Sequence, residues 1–315
     1  MTTANSLRLM WLPEINNAKG PRALSTEKFL NIKNVTLDRI SDSNQISFYV
    51  GNPKRTPEYF CHEADRFASA SFESLLSNAP VVGYERSTAW QLIRGYYAAF
   101  FAVHALFRLH GQACTRITSA TTAPMNREVQ RLYPESLTMS KGFYDIRSKS
   151  GGSEIALTRI DLSSSGSHEA LWALLTDYMR TATQRALLDS TDPVASSTFS
   201  TTIDKFNTVV KKRGGNIWFT QVRNRINYSH GYGSWFPYQS STTDSARIAH
   251  CLDGWRKEPS ETLIDLAADE ITQFAQACSL LVSFCRVTIQ DVAYRSVARS
   301  PFRESSARLA AASHI

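Results

Sequence analysis

The sequence predicts an all-α fold, an up-and-down helical bundle that carries a small N-terminal extension. Two observations lead to this prediction. Apolar residues recur every three or four positions in several long segments, which is typical of helices with one buried face. The regular alternation of strands and helices that a nucleotide-binding α/β sheet requires is missing. With 315 residues the chain can bury a large core, so the bundle needs neither disulfides nor metals.

We expect three regions along the chain: an N-terminal extension over 1–80, a helical domain over 81–298 and a loose C-terminal tail over 299–315. The extension contains two β-prone segments, 35–40 and 45–50, which a short polar stretch separates. These segments predict a β-hairpin within the extension.

The first long helix is predicted over 56–76, because a threonine, a proline and an early glutamate at its start are typical of a helix N-terminus. A second helix over 88–110 begins with a capping-box pattern and ends at Gly111. The periodicity then weakens, and two Ser/Gly-rich pieces indicate a loop-rich insertion over 112–166. Ser167 caps the next strongly periodic helix.

Three further helices are expected towards the C-terminus. One spans about residues 202–212. The next is capped by Asn216 and ended by Gly231. The last begins at Ser260 and continues to about Ile289 through a segment rich in leucine, isoleucine, phenylalanine and alanine.

The composition, with 43% hydrophobic and 20% charged residues, is that of an ordinary globular protein. No apolar run approaches the roughly 18 residues that a membrane span needs. The first residues lack the basic start and the apolar block of a signal peptide. We therefore expect a cytoplasmic protein that does not use a membrane. The net charge of +7 fits a polyanionic partner, although many proteins without such a partner carry as much.

The five cysteines lie far apart and form no Cys-x-x-Cys pair, which argues against a disulfide framework and against a zinc site. Neither glycine-rich phosphate-binding pattern occurs in the chain, and the metalloprotease pattern His-Glu-x-x-His is missing as well. The sequence therefore predicts neither a metal nor a cofactor.

The most informative segment is 222–232, near the end of a predicted helix. Its polar and aromatic residues are Arg223, Asn224, Arg225, Asn227, Tyr228, His230 and Tyr232. Arginine presents a planar fork of donors that suits phosphate, and histidine transfers protons near neutral pH. The segment is therefore suited to phosphodiester cleavage. A plainer interpretation is also open, because cations at a helix C-terminus complement the helix dipole.

A second basic and aromatic set lies on one face of the 88–110 helix and consists of Arg94, Tyr97, Phe101, His104 and Arg108. One interpretation is a core face whose polar groups reach out to water. The other is a wall that stacks RNA bases and meets phosphates, with Arg94 and His104 as binding residues. The spacing alone leaves both open.

The segment around His230 resembles the signature of the HEPN superfamily, an arginine followed after four to six residues by a histidine. Arg225 gives the four-residue spacing, but Ile226 follows it where the family usually has a polar residue. Arg223 gives the six-residue spacing and is followed by Asn224. The identity of the motif arginine therefore stays open between Arg223 and Arg225.

A second resemblance supports the first. The aromatic and alanine-rich stretch 94–107 is similar to an early helix of HEPN domains, and it precedes the motif as it does in that family. The two likenesses together cover about 85–110 and 200–290. They imply a metal-independent endoribonuclease in which the RNA supplies its own nucleophile, the 2′-hydroxyl. The expected products carry a 2′,3′-cyclic phosphate or a 3′-phosphate.

In this implied mechanism His230 acts as general base or general acid in the attack of the 2′-oxygen. Arg225 or Arg223 neutralises the charge that develops on the non-bridging oxygens. Asn224 or Asn227 holds the imidazole or a phosphate oxygen. Tyr228 and Tyr232 stack on the bases at the cleavage site.

The resemblance also implies a homodimer in which the two motif helices face each other and form a basic cleft for single-stranded or looped RNA. The segment 235–238 would form the rim of that cleft or anchor a packed loop. A toxin or antiviral-defence role follows by analogy, with an antitoxin or regulatory protein as a further partner. Two alternatives stay open: a non-catalytic HEPN-like module that binds RNA, nucleotide or protein, and an all-α interaction protein with a chance motif.

Overall fold

The structure is a computed structural model that describes residues 3–19, 24–31, 33–42, 45–76, 87–133, 138–160, 166–189, 192–235 and 244–312. Helices dominate these residues, but five strands form a single antiparallel sheet, so the fold is α+β. The prediction of an all-α bundle is therefore wrong. The strands that it omitted lie in the segment that was expected to form loops.

The described residues contain twelve α-helices: α1 (Thr3–Leu7), α2 (Thr26–Phe29), α3 (Thr56–Leu76), α4 (Thr88–Leu109), α5 (Ser119–Leu132), α6 (Ser167–Asp189), α7 (Pro193–Lys212), α8 (Trp218–Tyr228), α9 (Ser245–Asp253), α10 (Glu270–Arg295), α11 (Pro301–Glu304) and α12 (Ser306–Ala311). The helix predicted over 56–76 is confirmed by α3, the one over 88–110 by α4, and the start at Ser167 by α6. Helix α10 is buried along most of its length and packs against α3, α4 and α9, so it forms the centre of the helical core.

The sheet consists of β1 (Val35–Asp42), β2 (Gln45–Val50), β3 (Gln112–Ile117), β4 (Gly142–Lys149) and β5 (Glu154–Arg159). Its order is β1-β2-β5-β4-β3, and every neighbouring pair is antiparallel. The predicted hairpin is confirmed by the pairing of β1 with β2. It does not stand alone, because β2 also pairs with β5. A lone two-stranded hairpin is marginally stable in water, and this pairing supplies the further strands it needs.

The prediction of a loop-rich insertion over 112–166 is wrong, because this segment contains β3, α5, β4 and β5. The Ser/Gly-rich piece at 148–153 is the tight turn that joins β4 to β5, where Gly151 and Gly152 adopt left-handed φ angles of 66° and 95°. The strands are short, and their buried residues, such as Ile155 and Leu157, give too few repeats for a period of two to stand out.

Two predicted helix starts differ from the structure for reasons of capping. Helix α7 begins at Pro193 and not near residue 202, because the Asp192 side chain accepts a hydrogen bond from the Ala195 amide at 3.0 Å. Helix α10 begins at Glu270 and not at Ser260, because Asp269 caps it. Residues 259–261 form a separate 3-10 turn.

The C-terminal tail is not loose up to residue 312, because it contains α11 and α12 and buries Phe302 and Ala310 completely. The Asp65 carboxylate on α3 accepts hydrogen bonds from the Ser305 hydroxyl and, at 3.2 Å, from the Ser306 amide. These contacts hold the tail against the helical core. Residues 313–315 lie outside the described part of the chain.

The N-terminal extension shares the core of the helical domain. Helix α3 packs along α4, and the Ser71 hydroxyl donates to the carbonyl of Ala98 at 2.8 Å. The expected boundary near residue 80 falls within 77–86, outside the described residues. Across the described helices, none is both long enough and apolar enough to span a membrane.

Candidate functional site

Helix α8 carries the motif arginines and is amphipathic. The apolar residues of its buried face are Trp218, Phe219, Val222 and Ile226. Asn216 was predicted to cap this helix, but Ile217 occupies that position, and the Asn216 amide instead donates to the carbonyl of Ala173 at 3.2 Å. The helix ends at Tyr228, earlier than the predicted end at Gly231, because Ser229 adopts an extended conformation with ψ 98°.

His230 therefore lies beyond the helix, at the start of a 3-10 turn that Gly233 closes with a left-handed φ of 78°. Helical periodicity does not fix its direction relative to Arg223 or Arg225. The backbone of His230 is described, but its side chain lies outside the described part of the structure. The predicted meeting of an arginine with the imidazole thus stays a prediction.

Arg225 forms an ion pair with Glu270, the first residue of α10. Its Nη2 donates to Oε1 of Glu270 at 2.7 Å, and the same oxygen accepts the Trp218 indole N–H at 3.1 Å. Burial alone would raise the pKa of Glu270, but the hydrogen bond and charge of Arg225 bring it below its usual value. Arg225 is thus one half of an ion pair that fixes α8 to α10.

Tyr232, predicted to stack on a base, belongs to the same cluster. Its hydroxyl donates to Oε2 of Glu270 at 3.0 Å, and its ring lies 4.9 Å from Cζ of Arg225. Burial and the negative charge of Glu270 raise the pKa of the Tyr232 phenol. Its half-buried ring therefore packs against Arg225 within the protein.

Arg223 is in a different environment. Its Nη2 donates to the Tyr97 hydroxyl at 3.0 Å and its Nη1 to Oδ1 of Asn224 at 2.9 Å. The hydrogen bond to Tyr97 raises the pKa of Arg223 further, so it remains cationic. Within the described residues no carboxylate forms an ion pair with Arg223, whereas the lack of a hydrogen-bond partner for the buried Nε is common to Arg223 and Arg225. Of the two motif arginines, Arg223 is the one that keeps its charge for a ligand.

Tyr97 belongs to an open groove of about 640 Å³, whose lining residues are Ser74, Trp90, Ile93, Arg94, Tyr97 and Phe101. The Trp90 side chain is 56% exposed, and its ring stands edge-on to Trp235 with the centroids 5.7 Å apart. The Trp235 indole also donates to the carbonyl of Ile226, so the start of the predicted rim or loop anchor packs against α8. Residues 236–238 lie outside the described part of the chain. The groove, called the aromatic groove below, thus adjoins α8.

The predicted RNA-facing set on the 88–110 helix is divided by the structure. Its first half, Arg94, Tyr97 and Phe101, lines the aromatic groove. Its second half is buried: His104 is 7% and Arg108 is 2% exposed. His104 is therefore not a surface RNA-binding residue, and that prediction is wrong.

Arg108 is held by an ionic network in the protein interior. Its Nε donates to Oε2 of Glu63 at 2.5 Å, and the Thr26 hydroxyl donates to the same oxygen. Despite burial, the charge of Arg108 lowers the pKa of Glu63. The His104 ring stacks on Phe67 at 4.7 Å, and burial together with the charge of Arg108 lowers its pKa. This half is therefore a core face, as one interpretation predicted, but its polar groups pair with one another inside the core and do not reach water.

The remaining predicted residues lie at the surface of α8. Asn224 is exposed and Asn227 is half-buried, while the Tyr228 side chain is 75% exposed. Exposure leaves Asn224 and Tyr228 accessible to a ligand, so the predicted roles of these residues stay predictions.

His168, which no sequence pattern marks as a site residue, lies in the first turn of α6. Its ring packs against Phe100 with the centroids 4.5 Å apart, and its Nδ1 lies 2.9 Å from the Tyr96 hydroxyl. Burial and the charge of Arg223 lower the pKa of His168 to about 4. Nothing local in the sequence marks this histidine, because its partners lie about 70 residues earlier and 55 residues later in the chain.

No model of a protein family matches the chain, and no curated protein or solved structure matches it either. Within the described residues, no group of three or more histidine, cysteine, aspartate or glutamate side chains is arranged to hold a metal ion. The geometry of Arg223, Tyr97 and the aromatic groove therefore carries the functional argument.

Proposed function

We propose that the protein is a metal-independent endoribonuclease whose site combines Arg223, His230 and the aromatic groove. One observation carries the proposal. Arg223 reaches the wall of the groove through Tyr97, and no carboxylate among the described residues neutralises its charge. A cation at the edge of an aromatic groove suits a flexible single strand, which offers phosphates to the cation and bases to the rings.

The division of labour between the two arginines supports the six-residue spacing of the motif. Arg225 already forms an ion pair with Glu270, whereas Arg223 retains donors for a ligand and is followed by the polar Asn224. In the proposal Arg223 neutralises charge on the non-bridging oxygens of the scissile phosphate. Arg225 holds the helix in place.

His230 supplies the proton transfer. RNA carries its nucleophile in the 2′-hydroxyl, so the site needs a base for that oxygen and an acid for the leaving 5′-oxygen. The 2′-oxygen forms the new bond to phosphorus, the bond to the 5′-oxygen breaks, and a 2′,3′-cyclic phosphate remains. Only Ser229 separates α8 from the turn that begins at His230, so the backbone of that turn lies close to the arginine helix. A homodimer that joins two such sites, and an antitoxin or regulatory protein that controls them, belong to the same proposal.

A second candidate function is a non-catalytic module that binds RNA or nucleotide. The ion pair of Arg225 with Glu270 and the packing of Tyr232 favour it, because they withdraw two predicted site residues from the substrate. Such a module would use the aromatic groove and Arg223 without cleaving the strand.

The deciding experiment incubates the protein with a labelled single-stranded RNA in EDTA. The proposal expects cleavage by the wild type, 2′,3′-cyclic or 3′-phosphate ends, and no cleavage of a strand in which deoxynucleotides replace the ribonucleotides. H230A should lose cleavage but keep binding. R55Q should retain both, because Arg55 donates to the Tyr59 hydroxyl and does not line the aromatic groove. RNA binding without cleavage by the wild type would decide for the second candidate. A lack of both binding and cleavage would overturn both candidates.

A further inference from the structure

The structure brings His168 of α6 close to Arg223 of α8, with Tyr97 of α4 between them. We infer that Arg223 and His168 together bind a phosphate of a single-stranded nucleic acid, while the aromatic groove takes the attached base. This inference rests on the proposed function and deepens it, since it assigns a part of the substrate to each side chain.

Both groups approach the same phenol from different helices. The Arg223 Nη2 donates to the Tyr97 hydroxyl at 3.0 Å, and its Cζ lies 6.0 Å from the centre of the Tyr97 ring. The His168 ring lies 5.7 Å from the same ring, at an angle of 71°. The three side chains therefore form a contiguous cluster, called the Arg–Tyr–His cluster below.

The Tyr96 hydroxyl contacts one of the two ring nitrogens of His168, which is Nδ1. The Trp172 indole donates to the Tyr96 hydroxyl at 3.0 Å, and that hydroxyl lies 2.9 Å from Nδ1 of His168. A hydroxyl that accepts from Trp172 still carries one hydrogen, which it can donate to Nδ1. In the tautomer in which Nδ1 accepts this hydrogen, the neutral imidazole carries its own hydrogen on Nε2 and can donate it to a ligand.

The cluster has unused capacity for an anion. Arg223 has no carboxylate partner among the described residues, and its buried Nε makes no hydrogen bond there. The charge of Arg223 also acts on His168, where it works with burial to keep the imidazole neutral. A phosphate would provide the missing negative charge and several acceptor oxygens, and hydrogen bonds to ionised groups are among the strongest in proteins.

The aromatic groove is suited to the base that belongs to such a phosphate. Its volume of about 640 Å³ lies within the range typical of small-molecule sites. Trp90, Tyr97 and Phe101 supply ring faces, and stacking on such rings tolerates any base. Tyr97 belongs both to the groove and to the Arg–Tyr–His cluster, so the base and its phosphate would bind side by side.

The test uses the full chain and two probes that cannot be cleaved through a 2′-oxygen: inorganic phosphate and a hexathymidylate DNA strand. Phosphate is expected to raise the pKa of His168 from about 4, measured by NMR titration of its imidazole signals. DNA is expected to do the same and to quench the fluorescence of Trp90. R223Q and H168F should each weaken DNA binding roughly tenfold.

A matched control comes from a second arginine–tyrosine pair. Arg55 donates to the Tyr59 hydroxyl at 3.0 Å, and its Cζ lies 5.5 Å from that ring. R55Q therefore removes a comparable contact away from the cluster and should leave DNA affinity unchanged.

Two outcomes would overturn the inference. One is an unchanged pKa of His168 at saturating phosphate and DNA, which the wild type alone can show even if H168F does not fold. The other is a folded H168F that binds DNA as tightly as the wild type. Either result leaves the nuclease proposal standing, because RNA cleavage is measured separately. Binding of both probes without cleavage of RNA would instead overturn the nuclease and keep the phosphate site.

Discussion

Arg225 donates a hydrogen bond to Glu270 at 2.7 Å, and this ion pair ties the motif helix α8 to the first turn of α10. The same carboxylate accepts hydrogen bonds from Trp218 and Tyr232. Glu270 thus connects the start of α8, its last turn and the turn that follows it. The carboxylate lies at a helix N-terminus, where a negative charge is also favourable.

We expect E270Q to lower the free energy of unfolding by about 1–2 kcal/mol, because it weakens a partly exposed ion pair and its adjoining hydrogen bonds. Urea unfolding measures the effect. The control D177N weakens a surface pair with Arg180 in which both side chains are 63% exposed, and it should cost under about 0.5 kcal/mol. Equal losses for the two variants would contradict the special role of Glu270.

Substitutions of the two motif arginines should affect different properties, the cleavage rate for Arg223 and the stability for Arg225. R223Q is expected to slow RNA cleavage by about 10²-fold with little change in stability, since it removes a cation from the proposed site. R225Q should destabilise the protein as E270Q does and retain most of the cleavage rate at temperatures where it is folded. Initial rates in EDTA measure the difference. The opposite order would identify Arg225 as the motif arginine and favour the four-residue spacing.

The sequence predicts those parts of the fold that depend on local signals. Helix α4 shows its buried stripe over six turns, and the β1–β2 hairpin is marked by a polar turn between two β-prone segments. The pairing of β2 with β5 joins residues more than 100 positions apart, and no local pattern encodes it. Because this long-range pairing forms a larger sheet, the fold is α+β and not the predicted helical bundle with an appendage.

The same limit applies to the candidate site. The residue types in 222–232 indicated phosphate chemistry, but the sequence does not reveal which of Arg223 and Arg225 forms an ion pair within the fold. Their difference depends on Glu270 and Tyr97, which lie 45 and 126 residues away from the arginines that they contact. His168 joins the cluster through an equally distant contact. The roles of these residues become visible only in the tertiary structure, because each role depends on the residue that the side chain contacts.

Removing either Glu63 or Arg108 of their buried pair alone should greatly lower the free energy of unfolding. E63Q leaves the Arg108 guanidinium without its counter-ion in the core, and we expect a loss of about 3–5 kcal/mol in urea unfolding. The double variant E63L/R108M should be markedly more stable than E63Q, because it buries no charge. A double variant that is no more stable than E63Q would show that other contacts of this network carry the effect.

Mild acid should destabilise the protein through histidines that are buried in their neutral form. Burial lowers the pKa of His110 to about 3, and burial with the charge of Arg223 lowers that of His168 to about 4. The unfolded chain binds protons at these residues below about pH 6.5, whereas the folded chain does not. Stability is therefore complete above pH 6.5 and falls as the pH drops towards 4, by at most about 1.4 kcal/mol per pH unit and histidine.

Urea unfolding between pH 7.5 and pH 5 checks this prediction, since that range lies above the region in which most carboxylates titrate. Nδ1 of His110 lies 2.8 Å from the Tyr178 hydroxyl, and Nε2 of His110 is buried without a partner among the described residues. H110Q should reduce the slope of stability against pH, whereas H250Q, which changes an exposed histidine, should not. A wild-type stability that stays constant from pH 7.5 to 5 would mean that both imidazoles take up protons in the folded state, contrary to their buried positions.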